Sequence, residues 1–275
     1  MPLNGKHAGT EGIAGGVMTG LALRCRASVA ACLALVAFGP AHAAGCMFTR
    51  QGEGRVAAVI DARSFRLDDG REIRLAGIEP ANTDKAKGAA ALMAVIGGHN
   101  VTLHGDDDTP DRYGRQTAFV FLAGAAVQSE LLRRGEAWFT ADVADKDCAG
   151  TLAAAEAEAI RAKIGIWSVP TAIKNAESPG DILAGIGRFT VVEGKVLSVR
   201  QAGSVTYLNF GRNWTQDFAA TISRRMIPAF ETAGLSPKSM ENRRIRVRGF
   251  VSSRGGPRIE VVRSARRKIN HDWLA

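Results

Sequence analysis

The two halves of the chain share one order of short strand-like and helical segments, and this order restricts the folds that the chain can adopt. Five runs in its first half alternate apolar and polar residues as strands do: residues 55–61, 64–67, 72–76, 100–104 and 116–122. The turn Asp68-Asp69-Gly70 joins the second run to the third. A helix capped by Asn82 or Thr83 and ending at Ile96 follows the third run. Three strands, a helix and two strands is the order of an OB-type barrel.

The second half repeats the order less regularly. Its strand-like runs cover residues 189–199, 205–210, 218–223, 244–251 and 258–262, with a helix expected at residues 226–233. Prolines and glycines interrupt the periodicity at residues 168–187, which favours a linker there. We therefore predict a mainly β chain with helices (α+β). A five-stranded OB-type barrel is expected within residues 45–167 and a smaller OB-like barrel within residues 188–275.

Charge is divided unevenly between the two halves. Residues 45–178 carry 16 basic and 19 acidic side chains, a net of −3, whereas residues 179–275 carry 17 and 7, a net of +10. A basic small barrel is typical of a partner with a phosphate backbone, although weak adhesion to lipid headgroups or cell-wall polymers is the alternative. Aromatic side chains near the second and third strands and arginines on the fourth suggest nucleic-acid contacts through Tyr207, Trp214, Arg246 and Arg248.

The first 44 residues have the pattern of a removable signal peptide. Arg24 and Arg26 precede an apolar run at residues 27–38, and Ala41-His42-Ala43 is a small-residue cleavage pattern. The run is too short to span a bilayer stably, so we expect a periplasmic or secreted mature chain without a transmembrane span. Its oligomeric state is left open.

Removal of this segment would leave two cysteines, Cys46 and Cys148. Two thiols in an oxidising compartment favour one disulfide between them. The alternative is lipidation of Cys46, because Gly45-Cys46 is the dipeptide that lipoprotein signals use.

Three segments of the first half carry a family resemblance. Residues 59–64 read Val-Ile-Asp-Ala-Arg-Ser, residues 73–80 read Ile-Arg-Leu-Ala-Gly-Ile-Glu-Pro, and residues 111–115 read Asp-Arg-Tyr-Gly-Arg. In this order and spacing they resemble the active-site segments of the staphylococcal nuclease (thermonuclease) family, which hold a calcium ion and a phosphodiester. The resemblance covers about residues 54–167, and helices expected at residues 126–134 and 152–163 fit it.

The resemblance implies roles for several residues. Arg74 and Arg115 match the two family arginines that bind phosphate, and Tyr113 and Arg63 lie where they could contact nucleic acid. Taken singly, Arg74 could instead pair with a neighbouring carboxylate such as Glu72 or Glu79, and Arg115 could be a solvated loop charge. Taken with the spacing, the phosphate role is favoured for both. In an active enzyme, Arg74, Arg115 and Glu79 would be catalytic.

The acidic centre departs from the family pattern. Asp61 matches a residue near the metal and Glu79 replaces a second Asp, but Arg63 stands where the principal metal-binding Asp is expected. Asn82 replaces the Glu that activates water. Asp84 could turn in as a base if the loop register has shifted, but the favoured interpretation is an acid at the N-terminus of a helix. Calcium is the one cofactor that the resemblance implies, and a fixed guanidinium opposes its binding. Arg63 could pair with Asp61 or Glu79 and substitute for the metal.

Three functions remain open at this point. The first is an exported nucleic-acid-binding protein with a degraded nuclease centre. The second is an active phosphodiesterase that cleaves DNA or RNA with an altered metal site at Asp61 and Glu79. The third is an envelope adaptor that binds protein or anionic polymers, because OB barrels host many functions.

Overall fold

The structure is a computed structural model that describes residues 46, 48–81, 84–232, 234–261, 268–269 and 272–273, the last two pairs by their backbone alone. The predicted signal peptide, Asn82 and Thr83 lie outside the described residues. The described residues all belong to one compact unit, which spans Ala41–Ala275.

Eleven elements follow one another along the first part of the chain. They are β1 (Thr49–Asp61), β2 (Ser64–Leu67), β3 (Glu72–Leu75), β4 (Ile78–Pro80), α1 (Lys85–Ile96), β5 (Asn100–Gly105), β6 (Arg115–Leu122), β7 (Ala125–Ala126), α2 (Val127–Arg133), β8 (Ala137–Phe139) and α3 (Lys146–Ala162).

The first barrel closes as the OB order requires. β1 pairs with β2 and β5, β2 with β3, and β5 with β6, all antiparallel, and a parallel pairing of β3 with β6 completes the ring. β1 spans both sides of the barrel because it is long and bends at irregularities in its pairing, after Arg50 and again after Val56. Its interior is filled by fully buried side chains that include Phe65, Ile73 and Leu103.

Two helices of this barrel begin elsewhere than predicted. Asp84, rather than Asn82 or Thr83, caps α1, because its carboxylate accepts hydrogen bonds from the backbone N–H groups of Ala86 (3.0 Å) and Lys87 (3.3 Å). This agrees with the expected role of Asp84 as a helix acid. α3 begins before the predicted residue 152, since Asp145 caps it through the N–H of Cys148 at 2.7 Å.

The second part contains nine strands and two α-helices among the described residues. They are β9 (Ile173–Asn175), α4 (Pro179–Leu183), β10 (Phe189–Lys195), β11 (Ser198–Ala202), β12 (Val205–Asn209), β13 (Ala219–Ser223), α5 (Ile227–Thr232), β14 (Arg244–Ser253), β15 (Pro257–Val261), β16 (Lys268–Ile269) and β17 (Asp272–Trp273). Short 3₁₀ turns occur at Gly165–Ser168, Arg224–Met226 and Pro237–Met240.

The second sheet has the same strand order as the first. It runs β11-β12-β13-β15-β14-β10-β9, with β13 and β15 parallel as the third and fifth strands of an OB barrel are. The predicted single strand at residues 189–199 is two strands, β10 and β11, separated by a break at Val196 and Leu197. β10 pairs with β14 at one edge while β11 pairs with β12 at the other, so the break lets one segment serve both sides.

The segment predicted to be a linker is folded. Within residues 168–187, β9 adds to the second sheet by pairing in parallel with β10, where Ile173 lies opposite Val191, and α4 follows it. Ile182 of α4 is fully buried in the second core. The prolines that suggested a linker lie in a turn and at the start of α4, where a missing N–H costs little.

A disulfide between Cys46 and Cys148 joins the start of the described chain to the first turn of α3, as predicted. Within the described residues, no helix is long and apolar enough to cross a bilayer.

Candidate functional site

The backbone ladder of the first barrel brings the three resemblance segments together. Asp61 at the end of β1 lies opposite Ser64, Ser64 lies opposite Arg74 on β3, and Arg74 lies opposite Thr117 on β6. The turn between β1 and β2 therefore places Arg63 beside Arg74 at one edge of the barrel.

Glu79 is the central carboxylate of this cluster. Its carboxylate forms an ion pair with Arg63, whose guanidinium also donates to the carbonyl of Ile78 at 3.4 Å. Both side chains are largely buried, with 16% of Arg63 and 12% of Glu79 exposed, and Arg74 lies 3.8 Å from the same carboxylate oxygen. Burial raises the pKa of Glu79, the adjacent Arg63 opposes the rise, and the negative charge of Asp142 reinforces it.

A second cluster is built on the loop before β6. Asp111 accepts two hydrogen bonds from the Arg115 side chain (2.8 and 3.1 Å) and one each from the backbone N–H groups of Tyr113 (2.8 Å) and Arg115 (3.0 Å). These bonds, led by that from the Arg115 guanidinium, lower the pKa of Asp111 to about 2. Tyr113 is 63% exposed, and its ring lies 4.8 Å from the guanidinium of Arg112 and 4.9 Å from that of Arg115.

The residues at this edge do not fit a calcium ion. Asp61 accepts a hydrogen bond from the backbone N–H of Arg63 at 2.9 Å, while the Glu79 carboxylate is held by the Arg63 side chain. Nowhere in the described part of the chain do three or more His, Cys, Asp or Glu side chains come together in a group that could hold a metal. At the predicted weak metal site of Asp61 and Glu79, a guanidinium therefore neutralises one of the two carboxylates that a cation would need.

Comparison with known families agrees with this geometry. Residues 72–169 match the family model described as Staphylococcal nuclease homologue. Residues 72–169 are thus similar to staphylococcal nuclease homologues, and the first barrel with its helices, Thr49–Ala162, is named the nuclease domain for this similarity. The resemblance seen in the sequence is confirmed, and so are the α+β class and the OB-like barrel of this domain. No curated protein matches the chain.

The arginines that the sequence analysis singled out in the nuclease domain all lie beside carboxylates. Arg63 and Arg74 both face Glu79, as the alternative reading of Arg74 proposed, and Arg115 is bound to Asp111 rather than solvated. Asn82, the position of the expected general base, lies outside the described residues. The arrangement can present cations and an exposed aromatic ring to a phosphodiester.

Two site residues were missed in the nuclease domain. Asp111 immediately precedes the Arg-Tyr-Gly-Arg run and had a signal, since an Asp just before such a loop commonly caps it. Asp142 follows β8 and had none, because its nearness to Glu79 arises from the pairing of β4 with β8.

The predicted contacts of the second barrel divide into two groups. Tyr207 lies half buried on the outside of the sheet and Trp214 is 70% exposed, as a contact surface requires. Arg248, in contrast, is buried, pairs with Glu156 of α3 at 2.9 Å and donates to the carbonyl of Phe139 at 2.5 Å. Its prediction as a nucleic-acid contact is wrong, because solvent does not reach it.

Arg246 also differs from the prediction. Its side chain is 12% exposed and pairs with Glu193 at 2.7 Å, which neutralises its charge at the surface. Arg258, which the sequence analysis missed, instead lies over the Tyr207 ring at 5.3 Å. The signal for it was weak, since only the strand register places the first residues of β15 beside those of β13.

Proposed function

We propose that this chain is an exported nucleic-acid-binding protein whose nuclease domain binds phosphate without calcium-dependent cleavage. The observation that carries the proposal is the ion pair between Arg63 and Glu79, at the position where the family resemblance implies a metal. The nuclease domain itself supports nucleic acid as the partner.

Loss of cleavage follows from the charges. Phosphodiester hydrolysis requires an activated water and a cation that stabilises the charge developing in the transition state. A calcium ion beside the Arg63 guanidinium would be repelled by several kcal/mol in a partly buried site, as an order of magnitude. Arg63 also cannot replace the metal in activating water, because a guanidinium does not coordinate a water molecule and lower its pKa. The pair thus supports binding and opposes catalysis.

Phosphate binding is supported by the remaining groups. Arg74 lies 3.8 Å from Glu79, longer than a hydrogen bond, so its planar fork can turn to a phosphate at small cost. Tyr113 offers an exposed ring for a base, beside the guanidinium groups of Arg112 and Arg115. Counterion release then makes the affinity fall with salt.

Export is supported by two observations. The N-terminal segment has the basic, apolar and small-residue order of a signal peptide. The disulfide between Cys46 and Cys148 suits an oxidising compartment and engages the thiol that a lipid anchor on Cys46 would modify. Mass spectrometry of the mature chain from its native host would detect either the intact disulfide or the added lipid.

The test of function is a gel assay with end-labelled single-stranded DNA and RNA, in calcium and in EDTA. We expect a shifted but intact band that is equal in both buffers and weakens with salt. Arg74→Ala should weaken the shift, whereas Arg66→Ala, which removes the same charge from the exposed face of β2, should leave it nearly unchanged. Calcium-dependent fragments that disappear in Arg74→Ala would instead identify an active phosphodiesterase.

A gain-of-metal variant tests the role of Arg63 directly. Arg63→Asp combined with Asn82→Glu restores the acidic residues that the resemblance implies at these positions. We expect calcium to raise the melting temperature of this variant and to leave that of the natural chain unchanged, because a ligand stabilises only the fold that binds it. Equal calcium effects on both proteins would contradict the substitution of a guanidinium for the metal.

A further inference from the structure

We propose that the outer face of β11, β12 and β13 is a second binding site, specific for single-stranded nucleic acid. Bases would stack on Tyr207 and Trp214, and phosphates would contact Arg200, Arg212 and Arg258. The inference rests on the proposed function, since it names the strand state of the nucleic acid and the surface that receives it.

Strand register collects these groups on one face. In one cross-strand row, Arg200 of β11 lies opposite Tyr207 of β12. In a second row, two residues further along β12, Asn209 lies opposite Ala219 of β13, and Ala219 lies opposite Arg258 of β15. The residue between the two rows on β12, Leu208, is fully buried in the core. Because side chains alternate along a strand, the two rows point outward together.

A groove of about 750 Å³ lies over these rows. Its lining includes several small residues, which leave room for a planar ring: Ser198, Ala202, Asn209, Gly211 and Ala219. The volume falls within the range of small-molecule sites, so one or two bases could enter.

The Tyr207 ring is already part of a stack. The Arg258 guanidinium lies 5.3 Å from the ring centroid, a cation–π distance, and Tyr207 is half buried against the sheet. A fixed ring next to a fixed cation provides a base platform and a phosphate donor in adjacent positions.

Trp214 projects from a loop that its own hydrogen bonds hold in place. The Asn213 side chain accepts from the N–H (3.2 Å) and hydroxyl (2.7 Å) of Thr215, and the Asp217 carboxylate accepts from the N–H of Asn213 at 2.7 Å. The turn between β14 and β15 packs on this loop, because a Cβ added at Gly256 would lie 2.9 Å from the carbonyl oxygen of Asp217. A 70% exposed indole on a braced loop is organised in advance for stacking.

The charges around the groove favour an anion. Three arginines line it. Asp217 lies against Gly211 of the groove and uses its carboxylate to hold Asn213 in the loop. Glu241, which interacts electrostatically with Arg200, is paired with Lys238. Glu260 lies in the same row as Arg200 and Tyr207, separated from Tyr207 by Thr221, and does not line the groove. Duplex DNA buries its base faces within its own stack, so only a single strand can satisfy the rings and the arginines together.

The test is fluorescence anisotropy of the full mature chain with a labelled oligonucleotide of about 12 residues, within the site size of one small barrel. We expect Trp214→Ala to weaken single-strand binding about 5- to 150-fold, the range for loss of one stacked base. Phe250→Ala, which removes a 52% exposed ring of β14 outside the groove, should have little effect. Binding to a duplex of the same sequence should not respond to Trp214→Ala.

An arginine pair tests the phosphate contacts. Arg200→Gln should reduce the slope of log affinity against log salt by about 0.7, the value for one phosphate contact on a single strand. Arg225→Gln removes the same charge from an exposed position outside the groove and should leave the slope unchanged. Circular dichroism melts of each variant verify that the fold is retained.

The outcomes separate the two proposals. If the natural chain binds no nucleic acid at low salt, the proposed function fails and the groove with it. If binding persists in Trp214→Ala and Arg200→Gln but is lost in Arg74→Ala, only the groove is refuted. Loss of binding to phosphatidylglycerol vesicles in the groove variants, without oligonucleotide binding, would assign the surface to a membrane instead.

Discussion

At the scale of single residues, two carboxylates of the nuclease domain illustrate how surroundings set acidity. Glu79 is buried between arginines, and burial raises its pKa despite the adjacent Arg63. Asp111 lies at the surface, where hydrogen bonds from Arg115 and two backbone N–H groups stabilise its charged form. Burial dominates the first and hydrogen bonding the second.

The titration of Asp111 gives a direct test. Its pKa falls from 3.8 to about 2 in the folded chain, so the stabilisation of the loop is complete above pH 3.8 and is lost as the pH falls towards 2. Carbon NMR of the carboxyl group should give a midpoint near 2. Arg115→Gln should raise that midpoint towards 3.8, and Arg112→Gln, whose side chain contacts Tyr113 instead, should leave it in place. A midpoint unaffected by Arg115→Gln would show that another group holds Asp111.

At the scale of elements, β8 links the candidate site to the second barrel. Glu79 of β4 lies opposite Trp138 of β8, and the next residue, Phe139, donates its N–H to Glu156 at 2.9 Å and accepts from Arg248 at 2.5 Å. Arg248 belongs to β14 of the second barrel. The strand that supports Glu79 is therefore held by side chains from both parts of the chain.

This junction predicts a large effect of one substitution. Arg248→Ala leaves the buried Glu156 without its ion-pair partner, and we expect it to lower the free energy of unfolding by about 3–5 kcal/mol. Arg248→Met with Glu156→Gln should cost much less, because it removes both charges and keeps an acceptor for the Phe139 N–H. Urea denaturation measures both, with Arg254→Ala as an exposed control of the same barrel. A double variant as unstable as Arg248→Ala would refute the electrostatic account.

The elements also mark how far sequence reasoning reaches. The alternating runs predicted the positions of the main strands of both barrels, because a strand with one buried face alternates apolar and polar residues in its own sequence. β4 and β8 were missed because three residues are too few to show a period. The burial of Arg248 could not be foreseen, since its partner Glu156 lies 92 residues away. The pairing of Arg63 could be foreseen, because the family resemblance placed a carboxylate opposite it.

At the scale of the whole molecule, the disulfide between Cys46 and Cys148 constrains the nuclease domain. The two residues are 102 positions apart, and closing a loop of that length removes about 4.7 kcal/mol of unfolded-state entropy in the simplest treatment. We expect Cys46→Ser with Cys148→Ser to lower the unfolding free energy by about 2–5 kcal/mol. Calorimetry with and without reductant measures this. The unfolding transition of the double variant should be the same with and without reductant. If reductant also left the transition of the natural chain unchanged, the disulfide would not contribute to its stability.

The same covalent loop has a consequence for proteolysis. Every described residue assigned to the nuclease-domain site, from Asp61 to Asp142, lies between Cys46 and Cys148 along the chain. A protease that cuts once at the exposed residues 106–110 would therefore leave two fragments that stay joined. The residues around Glu79 and those around Asp111 would remain in one covalently joined molecule, so a single cut need not inactivate the protein.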